Sequence, residues 1–288
     1  GADAAAAGVP AEAAEDVAQL AARVGAGGPE PLSDPLTLLR FYNARDRDVA
    51  AAAEMYRATS RWRSSYSIPA VMDDFGDGAR YRADGGRDAD PMVWAWRRRP
   101  KTPEARLAAR HSFFSRLSRP SPALEPILVW RVGTVDFSGI VREGLVDTLT
   151  RAWIVHLEDA LQAARATSLK ERRLVRARLV IDAAGFGVSS LRHLPVLRRI
   201  ITMGKQYFPE VTASVTVVRA PSAAAQLYRL VRPWLTPLMV QKIAILGDDF
   251  AAGLREHAGL EVDSLPEFLG GAAPLQDADI GSDAAVTT

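Results

Sequence analysis

The sequence predicts an α/β protein: a mainly parallel sheet preceded by a small N-terminal helical module. Two patterns lead to this reading. From Pro126 onward, short β-rich runs alternate with long helical ones, and strands separated by helices imply βαβ units with right-handed crossovers and both sheet faces covered. Ahead of them, residues 33–66 carry two helix starts followed by apolar residues at helical spacing.

Taken in order, residues 1–32 are expected to be loose or partly helical. Residues 1–9, rich in Ala and Gly with little apolar periodicity, read as a loose tail, 10–24 as an Ala-rich helix, and "GAGGPEP" (25–31) ends it. The helical module occupies 33–72. Ser33 or Asp34 caps its first helix with Pro35 in the first turn, and "LTLLRFYNAR" supplies the apolar residues. A second helix follows Asp48, with Ala52, Met55, Thr59, Trp62 and Tyr66 on one face. Residues 73–125 read as an irregular connection. Within it "MVWAW" and the arginines 97–99 form either a patch for anionic lipid around Trp94 and Trp96 or a solvated basic face. The main domain spans 126–271, with strands at 127–132, 177–182, 213–218 and 242–246 and helices at 143–166, 190–207 and 222–241. Residues 272–288 are expected to be a disordered tail.

Composition narrows the function. The chain has 288 residues, 48% of them hydrophobic, which is enough for a sizeable core, and no cysteine. Disulfides, thiolate metal sites and thiol nucleophiles are thereby excluded. A net charge of +2 is too mild for nucleic acid. No long apolar window or basic-apolar leader is present, so a cytoplasmic protein is expected.

No catalytic or metal-binding constellation emerges. His111, His156, His193 and His257 are scattered without HExxH spacing, and no GxSxG elbow surrounds Ser189 or Ser190. The stretch "LVIDAAGFGVSS" (179–190) tests the idea of a dinucleotide loop. Gly185 and Gly187 are present, but Ser190 takes the third glycine position and the expected acidic residue is replaced by "GKQYF". The glycines are read as a strand-to-helix turn, with Asp182 tying down nearby amides. No enzyme activity, catalytic residue, metal or cofactor other than a bound lipid is expected.

The stretch 207–247, "YFPEVTASVTVVRAPSAAAQLYRLVRPWLTPLMVQKIAILG", closely resembles the CRAL-TRIO lipid-binding family, which includes secretory phosphatidylinositol/phosphatidylcholine transfer proteins. The likeness extends to "DPLTLLRFYNAR" in the helical module, to "VIDAAGFG" and to "LPEFLGG" (265–271). It implies a sheet flooring an apolar lipid pocket closed by a gate helix. Expected lining residues are Ile181, Ile201, Val217, Leu227, Val231, Leu235 and Val240. Glu210, Lys242 and Arg45 match headgroup positions, with Met239 where a hydroxyl residue is usual and Asp46 where a basic one is.

The gate is expected at 223–240, where Pro233 and Pro237 interrupt an apolar segment. Trp234 and Leu235 would meet the membrane, and Arg229 and Arg232 its phosphates. The resemblance implies lipid binding and transfer, with a phosphatidylinositol-type phospholipid as the leading cargo, at a transient membrane surface. The alternative is a lipid-sensing regulatory or scaffold module that binds a hydrophobic ligand or partner protein without transferring it.

Overall fold

A computed structural model describes residues 1–25, 32–77 and 92–275. Its centre is a five-stranded sheet made of β3 (Phe114–Arg116), β4 (Ile127–Arg131), β5 (Ala177–Asp182), β6 (Thr212–Val218) and β7 (Ile243–Ile245), in that spatial order. The last four run parallel and β3 pairs antiparallel with β4. A two-stranded ribbon, β1 (Gly76–Asp77) with β2 (Arg97–Arg98), lies apart from it.

Strand periodicity of two sorts the sheet residues onto its faces. Ile127, Val129, Val180 and Val218 pack beneath the sheet with Leu254 of α12 (Ala251–Ala258) and the closing segment Leu260, Leu265 and Leu269. Leu128, Trp130 and Leu179 face the other way, into the main core. That face carries α8 (Val146–Glu171), whose 26 residues are buried along most of their length, and α9 (Leu194–Tyr207).

The helical module packs on α8. Asp34 caps α3 (Pro35–Asn43) by accepting from the Thr37 amide, and Asp48 caps α4 (Val49–Tyr66). The face predicted for α4 is buried at Ala52, Met55 and Thr59 and partly covered at Trp62 and Tyr66, with Trp62 stacked on Tyr207 of α9. Ionic contacts join the module to α8: Arg63 holds Glu158 through two hydrogen bonds, and Arg165 meets Asp34 at 2.6 Å.

Several expectations need correction. Residues 1–9 are not a loose tail: α1 (Ala2–Ala6) rests on α2 (Ala11–Val24), with Ala4 and Val9 buried. The connection 73–125 contains the ribbon, the edge strand β3 and α6 (Pro103–His111), while α5 (Ile68–Phe75) runs into its start. The two indoles of the Trp94–Trp96 patch are engaged within the protein. Trp96 is buried and its indole donates to the Met72 carbonyl, while that of Trp94 donates to Asp159 at 2.6 Å. The tail beyond 275 lies outside the described residues, though Leu275 bridges back to Leu117.

The Gly185–Gly187 stretch forms the expected strand-to-helix turn. Asp182 ends β5 buried, accepts from the Ala184 amide and from Arg219, and lies 3.4 Å from Arg131. Gly185 has φ +87, and a Cβ there would approach the Gly133 carbonyl oxygen to 3.1 Å. The loop is a self-satisfied turn, and its carboxylate is already neutralised by arginine.

Candidate ligand cavity

Above the upper sheet face lies a cavity of about 470 Å³. Its floor is Trp130, Leu179, Ile181, Val215, Val217, Ile243 and Ile245, the residues that alternation along β4 to β7 turns to this side. Trp153 and Leu157 of α8 and Leu197, Ile200 and Ile201 of α9 form walls. The volume and apolar lining are those of a small-molecule site rather than a packing fault.

The cover is α10 (Ser222–Val231), a 3-10 turn at Arg232–Trp234 and α11 (Pro237–Gln241). Leu235 between them is extended, and Thr236 caps α11 with its hydroxyl, so the prolines do divide the segment into two helical pieces. Leu227, Tyr228, Val231, Leu235, Leu238 and Met239 turn inward to the cavity. Of the predicted lining, only Val240 is absent: α11 spans little more than a turn, and Leu238 and Met239 occupy its inward arc. Trp234 also lies outside the lining, with the Arg198 guanidinium 5.6 Å from its ring centroid. Arg229, Leu230 and Arg232 are exposed on the outer surface.

One end of the cavity is polar. Glu210, two residues ahead of β6, and Lys242, one ahead of β7, come together because neighbouring parallel strands start along one sheet edge. Lys242 Nζ donates to Glu210 Oε1 at 2.6 Å and to the Thr212 carbonyl at 3.1 Å. Arg176, immediately ahead of β5, meets Glu210 Oε2 at 2.8 Å. Glu210 is thus clamped between two cations, and its backbone has φ +52, in the left-handed region. Arg45 and Asp46 also border the cavity, both exposed.

Beneath this cluster is Arg40 of α3, almost wholly buried. It donates to the carbonyls of Glu210, at 2.7 Å, and Val175, and to Ser168 Oγ at 3.4 Å. Burial and the neighbouring Arg176 lower its pKa to about 10, still fully charged near neutrality. Neither Arg40 nor Arg176 is among the expected site residues. Arg40 does stand in the "LLRF" run that carried the resemblance, and Arg176 is marked by its place one residue before a strand.

His156 is not a ligand-binding group. It is buried among Phe114 and Trp153, and burial, reinforced by Arg98 and Arg116, lowers its pKa to about 3. Among the described residues, no group of three His, Asp or Glu side chains is placed to hold a metal ion. Among them, too, no helix is long and apolar enough to cross a membrane.

Comparison with known proteins places this geometry. Residues 120–271 match the family model described as CRAL/TRIO domain. A CRAL-TRIO domain-containing protein of Caenorhabditis elegans is 28% identical over 253 residues, 85% of this chain and 31% of that protein. The SEC14 cytosolic factor of Kluyveromyces lactis is 23% identical, covering 86% of this chain and 74% of the factor. A phosphatidylinositol/phosphatidylcholine transfer protein of Arabidopsis thaliana is 22% identical, covering 86% and 41%. The chain therefore spans less than half of the nematode and plant relatives. The crystal structure of Sfh5 superposes with a TM-score of 0.51 at 12% identity, covering 77% of this chain and 67% of that one, a likeness of fold.

Proposed function

The chain belongs to the CRAL/TRIO family, whose members are lipid-binding and lipid-transfer proteins rather than enzymes, and from that premise we propose that it takes up a single phosphatidylinositol-type phospholipid and carries it between membranes. The observation that carries this reading is the join of an apolar cavity to one charged end. Acyl chains shielded over the sheet gain about 0.8 kcal/mol per methylene removed from water. A headgroup then falls beside Glu210 and Lys242 of the lining, and Arg176, which meets Glu210 from outside the lining, brings the cations there to two against one carboxylate. That surplus suits a phosphodiester anion, while each Glu210 oxygen keeps a free lone-pair site for a sugar hydroxyl.

The cover supports the transfer step. Leu230 stands exposed beside Arg229 and Arg232, a combination suited to an anionic membrane surface. The cargo is tested by mass spectrometry of the organic extract of purified protein, followed by exchange between donor and acceptor vesicles. A stoichiometric phospholipid and vesicle-to-vesicle transfer are expected. Lys242→Ala should then weaken phosphatidylinositol binding about tenfold or more, the size of a charge-assisted hydrogen bond. Protein that carries no lipid and binds no labelled lipid would overturn the reading. Tight binding without exchange would leave a sensor in place of a carrier.

A further inference from the structure

Arg40 belongs to the helical module, yet its guanidinium terminates 170 residues away, at the Glu210 carbonyl. Three features distinguish it from a general packing arginine. It is among the largest fully buried side chains of the chain. It bonds the carbonyls of two lead-in segments, Val175 ahead of β5 and Glu210 ahead of β6. Those segments carry the two side chains that meet each other at 2.8 Å, Arg176 and Glu210. Glu210 also holds a left-handed backbone conformation unfavourable for a residue with a Cβ, so it needs an external restraint to persist.

We infer that Arg40 is a positioning residue for headgroup choice: by clamping the Val175 and Glu210 carbonyls together, it fixes the Glu210 carboxylate and Arg176 guanidinium as one rigid polar unit. The inference rests on the reading of Glu210 as an acceptor for the headgroup. Discrimination between headgroups depends on donors and acceptors held in place before the ligand arrives, because a mobile pair re-forms around either ligand and loses its selectivity. Arg40 ties that rigidity to the N-terminal module, and apolar binding over the sheet does not depend on it. The partners of Glu210 among the described residues are Arg40, Arg176 and Lys242, whereas a second arginine at the same junction, Arg165, bonds Asp34 at the start of α3 and serves as the control.

The test uses the full chain as wild type, Arg40→Met, Arg40→Lys, Arg165→Met and Glu210→Gln. Each is equilibrated with vesicles containing equal phosphatidylinositol and phosphatidylcholine with identical acyl chains, and the ratio of the two lipids on the protein is read by mass spectrometry. This ratio is independent of the fraction of protein that is folded. Arg40→Met should lower the phosphatidylinositol preference about tenfold, as expected for misplacing one charge-assisted bond. Arg40→Lys, which has one ammonium in place of a fork and reaches only one carbonyl, should lower it several-fold. Arg165→Met should keep the wild-type ratio despite a lower melting temperature. If Arg40→Met does not fold, Arg40→Lys decides alone. A lowered ratio in Glu210→Gln with wild-type ratios in the Arg40 variants overturns the positioning role and leaves the headgroup reading standing. A wild-type ratio in Glu210→Gln overturns both, and a shift in Arg165→Met equal to that in the Arg40 variants reduces Arg40 to general packing.

Discussion

If acyl chains lie over the sheet, affinity should climb with chain length and stop where the cavity is full. Short-chain phospholipids that stay monomeric in water isolate this effect, because the reference state is then water and not another bilayer. With the headgroup fixed and one chain lengthened, each methylene should contribute about 0.8 kcal/mol, close to fourfold in Kd. Four methylenes amount to about 3 kcal/mol, on the order of 200-fold. The plateau can be moved. Val217 lies near the C-terminal end of β6 on the cavity floor, and Val217→Trp places an indole where chain would lie. Displacing on the order of five methylenes should cost the longer lipids about 4 kcal/mol and leave the shortest almost untouched. Trp130 and Trp153 border the cavity, so intrinsic fluorescence follows the titration, with calorimetry for absolute Kd. A flat dependence on chain length, or an unchanged plateau in Val217→Trp, would refute the placement of the chains.

Trp234→Ala with Leu235→Ala should slow exchange between vesicles several-fold and lower the melting temperature only slightly. Trp234 is half-buried outside the cavity lining, against Arg198, and a cation–π contact near the surface contributes about 0.5–1 kcal/mol; stopped-flow exchange with fluorescent lipid checks this, and wild-type rates would exclude the cover as the gate. His156 predicts an acid-sensitive fold. Burial lowers its folded pKa to about 3, so between that value and the ordinary value of about 6.5 the unfolded chain binds the extra proton. The stability is therefore fully present above that ordinary value and is lost as pH falls, by up to about 1.4 kcal/mol per pH unit. Urea midpoints at neutral and acidic pH should separate by less in His156→Phe than in wild type, and equal separations would assign the acid sensitivity to other groups.

The sheet and its helices were legible because each long element carries its own period: β5 and β6 alternate inward and outward, and α3 and α4 announce their starts with Asp34 and Asp48. What failed locally was decided by distant partners. Phe114–Arg116 is too short to show alternation and becomes a strand only by pairing with Leu128–Trp130. Trp94 and Trp96 beside arginines resemble a lipid-facing patch until Asp159 and the Met72 carbonyl claim their indoles. The Ala-rich start has no apolar stripe, and Ala4 and Val9 still find a core to enter.

The polar end of the cavity shows how far strand order alone can reach. Arg176, Glu210 and Lys242 are separated by more than thirty residues each, too far for any helical or strand period to relate them. Each nevertheless stands one or two positions ahead of a strand, and β5, β6 and β7 are parallel neighbours. A parallel sheet of this order therefore brings the three side chains to one edge whatever their individual contacts. At the opposite edge the same rule gathers Arg131, Asp182 and Arg219, where the carboxylate is buried beneath two arginines and the turn closes on itself. The two charged edges differ in what surrounds them: the first borders an apolar cavity, the second a packed turn. Arg40 follows from neither rule, because its side chain reaches the first edge from a helix outside the sheet. Strand order alone is thus sufficient to assemble the charges but not to hold them rigid, and replacing Arg40 separates those two contributions.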